Sequence, residues 1–474
     1  MAQEYPMFID GLPVRGEQPF AVQLPFDGTP VGTVYQATAE QVDAAVAAAQ
    51  RAFPVMRALS REERAAILRK AHLMMREQKE DLALAVANET GKPIKEARIE
   101  VDRAMMTVLF SAEEAHRLVG EVVPIDAAGP GKGRMGITIR EPLGVIAAIT
   151  PFNVPLNLAM HKIGPAIAAG NTIVHKPASA TPLSAIKMAS IFTDCGLPAG
   201  ALNIITGPGG AIGEQLCFHP GVAMITFTGS VEVGLRIRNL AGLKKVTLEL
   251  GSNSAVIIED DADLDAAVPR CVAGAYAHSG QLCISVQRIY VHERIRDRFV
   301  EQFVEHTRKL VIDHPYQPNT DISSLINARE AERIVSWIGE AVRSGAQLLQ
   351  GGGRMNATVA PAVLAEVPPT AQLSCKEAFG PVAGINRYRD LDEAIEQVNA
   401  SEFGLQAGIY TRDFEKAWRA AQAVHVGGFM INEVPQFRVD QMPYGGVKLS
   451  GTGREGPKYA IEEMTEPKLI TWRV

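Results

Sequence analysis

Cysteine is scarce in this chain, and its scarcity excludes several classes of protein. The 474 residues include five cysteines. None forms a C-x2-4-C pair with another, so a local zinc site is not expected and no metal ligand is assigned. An odd count in so long a chain does not indicate a disulfide scaffold. The usage fits a reducing compartment, and a cytoplasmic location is expected. Free cysteine often behaves as a small buried hydrophobe, and four of the five can be interpreted that way: Cys195, Cys217, Cys271 and Cys375.

Long apolar runs are also missing. The stretches "GVIAAIT" and "IGPAIAAG" fall well short of the ~18 residues that span a bilayer. The first ten residues, "MAQEYPMFID", lack a basic region followed by an apolar core, so no signal peptide is expected. The net charge of −6 does not favour a nucleic-acid surface. Neither a membrane nor a nucleic acid is therefore an expected partner.

What the chain does contain is typical of a soluble globular protein. Apolar residues make up 47% and charged residues 21%. At about 100–200 residues per domain, the length predicts two or three domains. Residues 38–116 predict helices, because the four-residue stretches that begin at Thr38 and Ser60 both fit the capping-box pattern. Gly91 is a plausible helix stop.

From residue 143 short apolar runs alternate with patterns of helical length. The runs are "GVIAAIT", "NTIVHKP", "LNIIT", "AMITFTG" and "KVTLEL", and the intervening helices are expected at 155–169, 181–194, 210–218 and 230–242. Strands buried on both faces have this composition, and the alternation indicates parallel βαβ units. A dinucleotide site at the carboxyl ends of these strands is a reasonable expectation.

A second α/β set follows. Strands are expected at "SAVIIED", "VQRIYVH" and "QAGIYT", with helices at 263–278, 294–310, 329–344, 391–399 and 413–424. The segment 118–142 and the C-terminal "EPKLITWRV" are instead strand-like without helices. Because exposed edge strands need a partner, these two segments are expected to form a small sheet used for assembly.

Glycine-rich motifs give a weak signal. No stretch fits G-x-G-x-x-G or the P-loop pattern. Gly229 and Gly234 in "FTGSVEVG" follow a strand and open a helix, where backbone N–H groups favour phosphate. A tight strand-to-helix turn explains the same stretch equally well.

An ordered set of motifs is more specific than any one of them. In chain order they are "TPFNVPLN" at 150–157, "HKPAS" at 175–179, "FTGSVEVG" at 227–234, "LELGSN" at 248–253, "GQLCIS" at 280–285, "EAFGPV" at 377–382 and "PYGGVKLSGTGREG" at 443–456. This set resembles the aldehyde dehydrogenase superfamily over essentially the whole chain. The likeness implies NAD(P)-dependent oxidation of an aldehyde to a carboxylic acid.

The resemblance also implies an α/β fold in three parts. A Rossmann-like nucleotide-binding domain would span 1–117 and 143–248, and an α/β catalytic domain would span 249–459. A small β oligomerisation extension, 118–142 and 460–474, would build a homodimer or homotetramer. An unusual Rossmann variant is implied as well, which fits the missing G-x-G-x-x-G.

Three catalytic residues follow from the resemblance. Cys283 matches the nucleophile, which suits the strong nucleophilicity of a thiolate. Asn153 matches the side-chain donor to the oxyanion, with the backbone N–H of Cys283 as the second donor. Glu249 matches the general base that activates water for hydrolysis of the thioester. Lys162 and Glu455 match further recurrent positions whose roles are less settled.

The cofactor, NAD or NADP, would be held by a larger group. Lys176 matches the residue that bonds the adenine ribose, and Glu377 the one that accepts from the nicotinamide-side ribose, with Phe379 bracing the ring. Ser179 replaces a glutamate found in many NAD-specific relatives, so NADP is expected to be accepted. The remaining cofactor-binding residues are Thr150, Pro151, Phe152, Gly229, Ser230, Gly234 and Leu250.

Alternatives remain open at this point. A CoA-acylating relative is one, although such relatives usually lack the glutamate at position 249. A catalytically silent protein of the same fold is the other. For the substrate, Arg103 matches one arginine of relatives that oxidise glyceraldehyde 3-phosphate, but Leu282 and Phe437 stand at two others. A dianionic phosphate needs more than one charged partner, so semialdehydes, short hydroxyaldehydes or benzaldehydes are the expected substrates.

Overall fold

A computed structural model describes residues 3–474. Within this range the helices are α1 (Ala39–Ala58), α2 (Arg61–Glu77), α3 (Lys79–Thr90), α4 (Ile94–Arg117), α5 (Pro155–Ala169), α6 (Leu183–Asp194), α7 (Gly209–Phe218), α8 (Val231–Leu240), α9 (Leu264–Tyr276), α10 (Arg296–Arg308), α11 (Ala328–Arg343), α12 (Gln372–Cys375), α13 (Leu391–Asn399), α14 (Phe414–Ala423) and α15 (Pro457–Glu463).

The strands fall into three larger sheets and three short pairs. They are β1 (Met7–Ile9), β2 (Leu12–Val14), β3 (Gln18–Gln23), β4 (Pro30–Gln36), β5 (Val122–Val123), β6 (Arg134–Pro142), β7 (Val145–Ile149), β8 (Thr172–Lys176), β9 (Leu202–Ile204), β10 (Val222–Thr228), β11 (Lys245–Glu249), β12 (Ala255–Ile258), β13 (Arg288–His292), β14 (Gln347–Gln350), β15 (Arg354–Met355), β16 (Thr358–Val359), β17 (Ala362–Ala365), β18 (Val382–Tyr388), β19 (Phe403–Gly404), β20 (Gln406–Tyr410), β21 (Gly428–Ile431), β22 (Val447–Lys448), β23 (Gly451–Thr452) and β24 (Thr465–Arg473).

The first sheet confirms the predicted parallel βαβ series. Its order is β2-β1-β9-β8-β7-β10-β11-β23, and the five strands from β9 to β11 are parallel. The register pairs Ile149 with both Lys176 and Phe227, and Thr228 with Glu249. The carboxyl ends of four neighbouring strands therefore meet at one edge, where open α/β sheets bind ligands.

The second sheet follows the same principle in the order β14-β17-β18-β13-β12-β20-β21. All its neighbours are parallel except β14, which pairs antiparallel with β17. The predicted strands and helices of this half are present, with boundary shifts of a few residues. Helix α9 ends at Tyr276 rather than 278, because His278 and Ser279 have left-handed φ values of 48° and 54°.

The helical region before the first sheet is confirmed, including both capping boxes. The Thr38 side chain accepts from Gln41 N, and the Gln41 side chain accepts from Thr38 N. Ser60 and Glu63 form the same reciprocal pair of bonds. Helix α3 ends at Gly91 in the left-handed conformation. These helices pack with α5 and α6 into one apolar core against the first sheet.

The strands of residues 7–36 were not predicted. β1 and β2 form a hairpin whose two turn residues, Asp10 and Gly11, have φ values of 56° and 76°. A type I′ turn needs positive φ at both positions, and Asp-Gly is a preferred sequence for it. β1 then adds antiparallel to β9 and extends the first sheet.

The strand-like segments form a three-stranded sheet, β24-β6-β5, as expected. β24 and β6 pair antiparallel from Thr465 opposite Pro142 to Arg473 opposite Arg134. The expectation for 460–463 was wrong, because α15 covers these residues; Pro457 opens that helix at its first position. β24 exposes Leu469 and Trp472. The use of this sheet in assembly stays a prediction.

The domain limits stay a prediction as well, with one qualification from the topology. β23 lies within the predicted catalytic segment 249–459 but pairs with β11 of the first sheet. Helix α15 then contributes Ile461 to the apolar core of the first half. The chain thus returns to the first sheet before residue 459. Among residues 3–474, none of the helices combines the length and apolar character needed to cross a bilayer.

Candidate active site

A cavity of about 540 Å³ opens at the carboxyl edge of the first sheet. It is lined by thirteen of the fourteen residues predicted for catalysis and cofactor binding, namely Thr150, Pro151, Phe152, Asn153, Lys176, Ser179, Gly229, Ser230, Glu249, Leu250, Cys283, Glu377 and Phe379. Gly234 lies behind the wall, where a Cβ would come within 2.4 Å of Leu250 Cδ2. Its missing side chain therefore makes room for Leu250.

The strand register explains why these residues meet. β7 ends immediately before Thr150, β8 ends on Lys176, and β11 ends on Glu249. β10 leads into Gly229 and Ser230, where Ser230 caps α8 by accepting from Val233 N. The first sheet thus supplies one wall, and Cys283, Glu377 and Phe379 arrive from the second half of the chain.

Cys283 sits in a loop between α9 and β13, and its sulfur faces a tyrosine. Sγ lies 2.8 Å from Tyr444 Oη. Burial raises the pKa of the Cys283 thiol to about 12, while the Tyr444 hydrogen bond opposes that rise. Three of the other cysteines, Cys195, Cys217 and Cys271, are buried. Cys283 is thus the partly exposed cysteine that faces a polar group in the cavity.

Asn153 joins the first sheet to the cysteine loop. Its side-chain Nδ2 donates to the carbonyl oxygen of Gln281 at 2.6 Å, two residues before Cys283. Both Asn153 and Gln281 are buried. An asparagine amide carries two N–H donors, so one can anchor the loop while the other remains available to a ligand.

Glu249 carries a buried carboxyl group that lacks hydrogen bonds. Neither of its oxygens has a hydrogen-bond partner. Burial raises its pKa well above the ordinary value, and the nearby charge of Glu455 raises it further. Gly445 passes close above it, since a Cβ there would come within 2.8 Å of Glu249 Oε1. An unpaired buried carboxyl is costly, which marks this position as a candidate for proton transfer.

A buried ion network lies behind Glu249. Glu455 pairs with Lys162 at 2.9 Å and with Arg438 at 3.0 Å. Lys162 also donates to Thr228 Oγ1 at 2.8 Å. Burial alone would raise the pKa of Glu455, but Lys162 and Arg438 outweigh it and hold that pKa well below the ordinary value. Lys162 and Glu455 therefore belong to the site's electrostatic surroundings.

The cofactor side contains two further buried charges. Lys176 Nζ donates to the Pro177 carbonyl at 3.1 Å, and burial lowers its pKa to about 8. Glu377 accepts from Ser252 N at 2.9 Å, and burial raises its pKa to about 7. Both groups retain free hydrogen-bonding capacity toward the cavity. This donor and acceptor set fits the ribose hydroxyls of a dinucleotide, and the start of α8, which lines the same cavity, offers N–H groups for phosphate.

Several lining residues were missed by the sequence analysis. Helix α7 presents glycines toward the cavity, in the same "GPGGAIG" stretch that fails the dinucleotide pattern. Arg236 of α8 pairs with Glu214 of α7 at 2.6 Å on this wall. The contacts of Tyr444 with Cys283 and of Arg438 with Glu455 were also missed, although Tyr444 lies in the motif at 443–456, because such contacts depend on how the loops pack.

Arg103 is committed to another residue. It forms a bidentate pair with Asp440, at 2.8 and 3.2 Å. Asp440 also contacts Asn157 at 2.9 Å and His161 at 3.0 Å. Phe437 is 41% exposed, whereas the neighbouring Arg438 points inward to Glu455. The guanidinium of Arg103 is thus neutralised before any substrate binds.

Comparison with known proteins agrees with the motif set. The model of the aldehyde dehydrogenase family matches residues 13–470. A 3-sulfolactaldehyde dehydrogenase of Priestia aryabhattai is 46% identical over 99% of this chain and 98% of its own length. A lactaldehyde dehydrogenase of Methanococcus aeolicus is 40% identical over 98% of this chain and 99% of its own.

Solved structures extend the agreement to the fold. Aldehyde dehydrogenase 21 from Physcomitrella patens, in complex with the reaction product succinate, superposes with a TM-score of 0.98 at 39% identity, over 100% of this chain and 99% of its own. Similar structures include NAD-dependent and NADP-dependent enzymes. The chain therefore belongs to the aldehyde dehydrogenase family, and its reaction is the NAD(P)-dependent oxidation of an aldehyde to the carboxylic acid.

Proposed function

We propose that this enzyme oxidises its aldehyde through a thioester on Cys283 that water then hydrolyses. The observation that supports this most directly is that Cys283, Asn153 and Glu249 line the same cavity. The Cys283 thiolate attacks the aldehyde carbon, and the carbonyl oxygen becomes an oxyanion. Asn153 and the Cys283 backbone N–H donate to that oxygen.

The second half of the reaction depends on Glu249. Lys176 and Glu377 would hold NAD(P), which would supply the hydride acceptor for the substrate carbon; the loss of hydride would leave an acyl group on the sulfur of Cys283. Glu249 takes a proton from water, the resulting hydroxide attacks the thioester, and the acid leaves as Cys283 regains its thiolate. Its free oxygens and raised pKa support a role as base. This route needs no coenzyme A.

For the substrate, we propose a short aldehyde that carries one anionic or hydroxyl group. The named substrates of the two relatives, 3-sulfolactaldehyde and lactaldehyde, are small aldehydes of this kind. The pairing of Arg103 with Asp440 supports the expectation that glyceraldehyde 3-phosphate is a poor substrate. A dianion would have to compete with Asp440 for that guanidinium.

For the cofactor, we propose that NADP is accepted. Ser179 places no carboxylate in the cavity, although its hydroxyl already donates to the Gly207 carbonyl at 2.7 Å. Arg236 supplies a cation on the same wall and neutralises Glu214.

The exposed β24 supports assembly into dimers or tetramers. Five free thiols support a reducing, cytoplasmic location.

The test is a panel of aldehydes with NAD and with NADP, assayed with and without coenzyme A. Semialdehydes with one carboxylate, lactaldehyde and sulfolactaldehyde should give the highest kcat/KM. Cys283→Ala should abolish the oxidation while nucleotide binding persists. Turnover that depends on coenzyme A would contradict hydrolysis, and a preference for glyceraldehyde 3-phosphate would contradict the substrate proposal.

A further inference from the structure

Tyr444 forms a polar contact with the sulfur of Cys283. Its phenol oxygen lies 2.8 Å from Sγ, and the side chain is buried beside Ile284 and Leu405. The backbone on either side is held as well, because Tyr444 and Glu455 exchange two N–H···O bonds of 3.1 and 2.6 Å. The hydroxyl is therefore fixed in place rather than free to swing.

A cation lies over the Tyr444 ring. The guanidinium carbon of Arg438 lies 3.6 Å from the ring centroid. Arg438 is anchored by its pair with Glu455. A cation against the ring draws electron density from the phenol and makes its O–H a stronger donor. Burial meanwhile raises the pKa of Tyr444, which favours the protonated phenol.

We propose that Tyr444 is a catalytic residue whose hydroxyl donates a hydrogen bond to the Cys283 thiolate and so stabilises and aims the nucleophile. The inference rests on the proposed role of Cys283. A thiolate has no proton to donate, so in the reactive state the phenol is the only possible donor of this pair. No proton leaves Tyr444; the proton lost on activation is that of the thiol, and it passes to solvent water in the cavity that Cys283 lines.

A purely structural role makes a different prediction. If Tyr444 only fills space against Ile284 and Leu405, phenylalanine should replace it without changing the chemistry of the thiol. Tyr444→Phe keeps the ring, its packing and the contact with Arg438, and removes only the donor. Tyr276→Phe is the matched control, because Tyr276 is equally buried and its hydroxyl donates to the Ala362 carbonyl at 3.0 Å.

The measurement is the rate of alkylation of Cys283 by iodoacetamide as a function of pH, with the modified residue identified by mass spectrometry. A hydrogen bond to a charged group corresponds to a shift of about one pH unit or more. Tyr444→Phe should move the midpoint upward by about that much, while Tyr276→Phe leaves it unchanged. We use the midpoint rather than the rate as the readout. A thiolate of lower pKa is also a weaker nucleophile, so a shift of one pH unit changes the alkylation rate of the thiolate by only roughly threefold.

Arg438→Met provides a second variant that retains the hydroxyl. It should move the same midpoint upward, because it removes both the cation against the ring and a nearby positive charge. A wild-type midpoint in Tyr444→Phe would overturn the inference whatever Arg438→Met does, as would an equal shift in Tyr276→Phe. Failure of the proposed function has a separate signature, namely aldehyde oxidation that persists in Cys283→Ala.

Discussion

Asn153 has one observed contact and one proposed role, and its replacement tests both together. One N–H of its amide holds the Gln281 carbonyl at 2.6 Å. The other is the proposed donor to the oxyanion that forms after attack by Cys283. Asn153→Ala removes both donors, whereas Asn153→Asp keeps the shape and places acceptors where the donors were.

The structure sets the expected size of each effect. Loss of one preorganised donor to an oxyanion lowers kcat by about 10²–10³, which equals about 2.7–4 kcal/mol. The Gln281 carbonyl is buried, and loss of its partner costs about 1–3 kcal/mol in the free energy of unfolding. Asn153→Asp should lower kcat at least as much as alanine does, because a carboxylate repels the oxyanion.

Steady-state formation of NAD(P)H and thermal unfolding distinguish the two effects. Asn171→Ala is the matched control, since Asn171 is a buried asparagine that donates to the Met464 carbonyl at 2.9 Å, away from the cavity. It should lose stability and retain kcat. A fall in kcat of less than about tenfold in Asn153→Ala would refute the oxyanion assignment.

Three further perturbations address the base, the cofactor and the ion network. Glu249→Gln should give one burst of NAD(P)H without steady turnover. In the wild type kcat should rise with pH as the base form of Glu249 appears, at a pH set by its raised pKa, and the variant should lose this rise. Unchanged turnover would show that another group is the base. Ser179→Glu should weaken NADP relative to NAD by at least about tenfold in KM because it places like charges together, whereas Ser179→Ala should leave the ratio near that of the wild type. Lys162→Met should lower the free energy of unfolding by about 3 kcal/mol, measured by urea titration, because Glu455 then has only Arg438 as an ion-pair partner; Lys468→Met, at an exposed pair, should cost little.

The parallel sheets could be predicted because their strands are short, apolar and separated by helical patterns. "NTIVHKP" is buried on both faces in β8, as its composition indicated. The β1–β2 hairpin carried an Asp-Gly signal of its own but was overlooked, because its strands are only three residues long. Residues 460–463 of helix α15 were assigned to a strand, although Pro457 is a helix-starting residue.

The site was predictable to the extent that its residues lie in ordered motifs. Cys283, Asn153 and Glu249 each occur in a stretch that the resemblance identifies. The register of the first sheet explains the position of Glu249 and of the strand that precedes Asn153, whereas Cys283 reaches the cavity from the second half of the chain. Tyr444 was different, because its partner Cys283 lies 161 positions away in sequence. Loop-to-loop contacts of this kind follow from the packing of two sheets, which no periodicity in the sequence encodes.

The ion network shows why the charges of this site act as a unit. Two carboxyl groups, Glu249 and Glu455, lie near two cations, Lys162 and Arg438, in a buried region. Glu455 takes both cations as direct partners, whereas Glu249 has no hydrogen bonds. Burial raises the pKa of Glu249, the charge of Glu455 raises it further, and Arg438 and Lys162 oppose the rise. A carboxyl that is denied partners in this way holds its proton more tightly. Burial and the charge of Glu455 therefore outweigh the nearby cations at Glu249, and the proposed deprotonation of water would use the basicity that results.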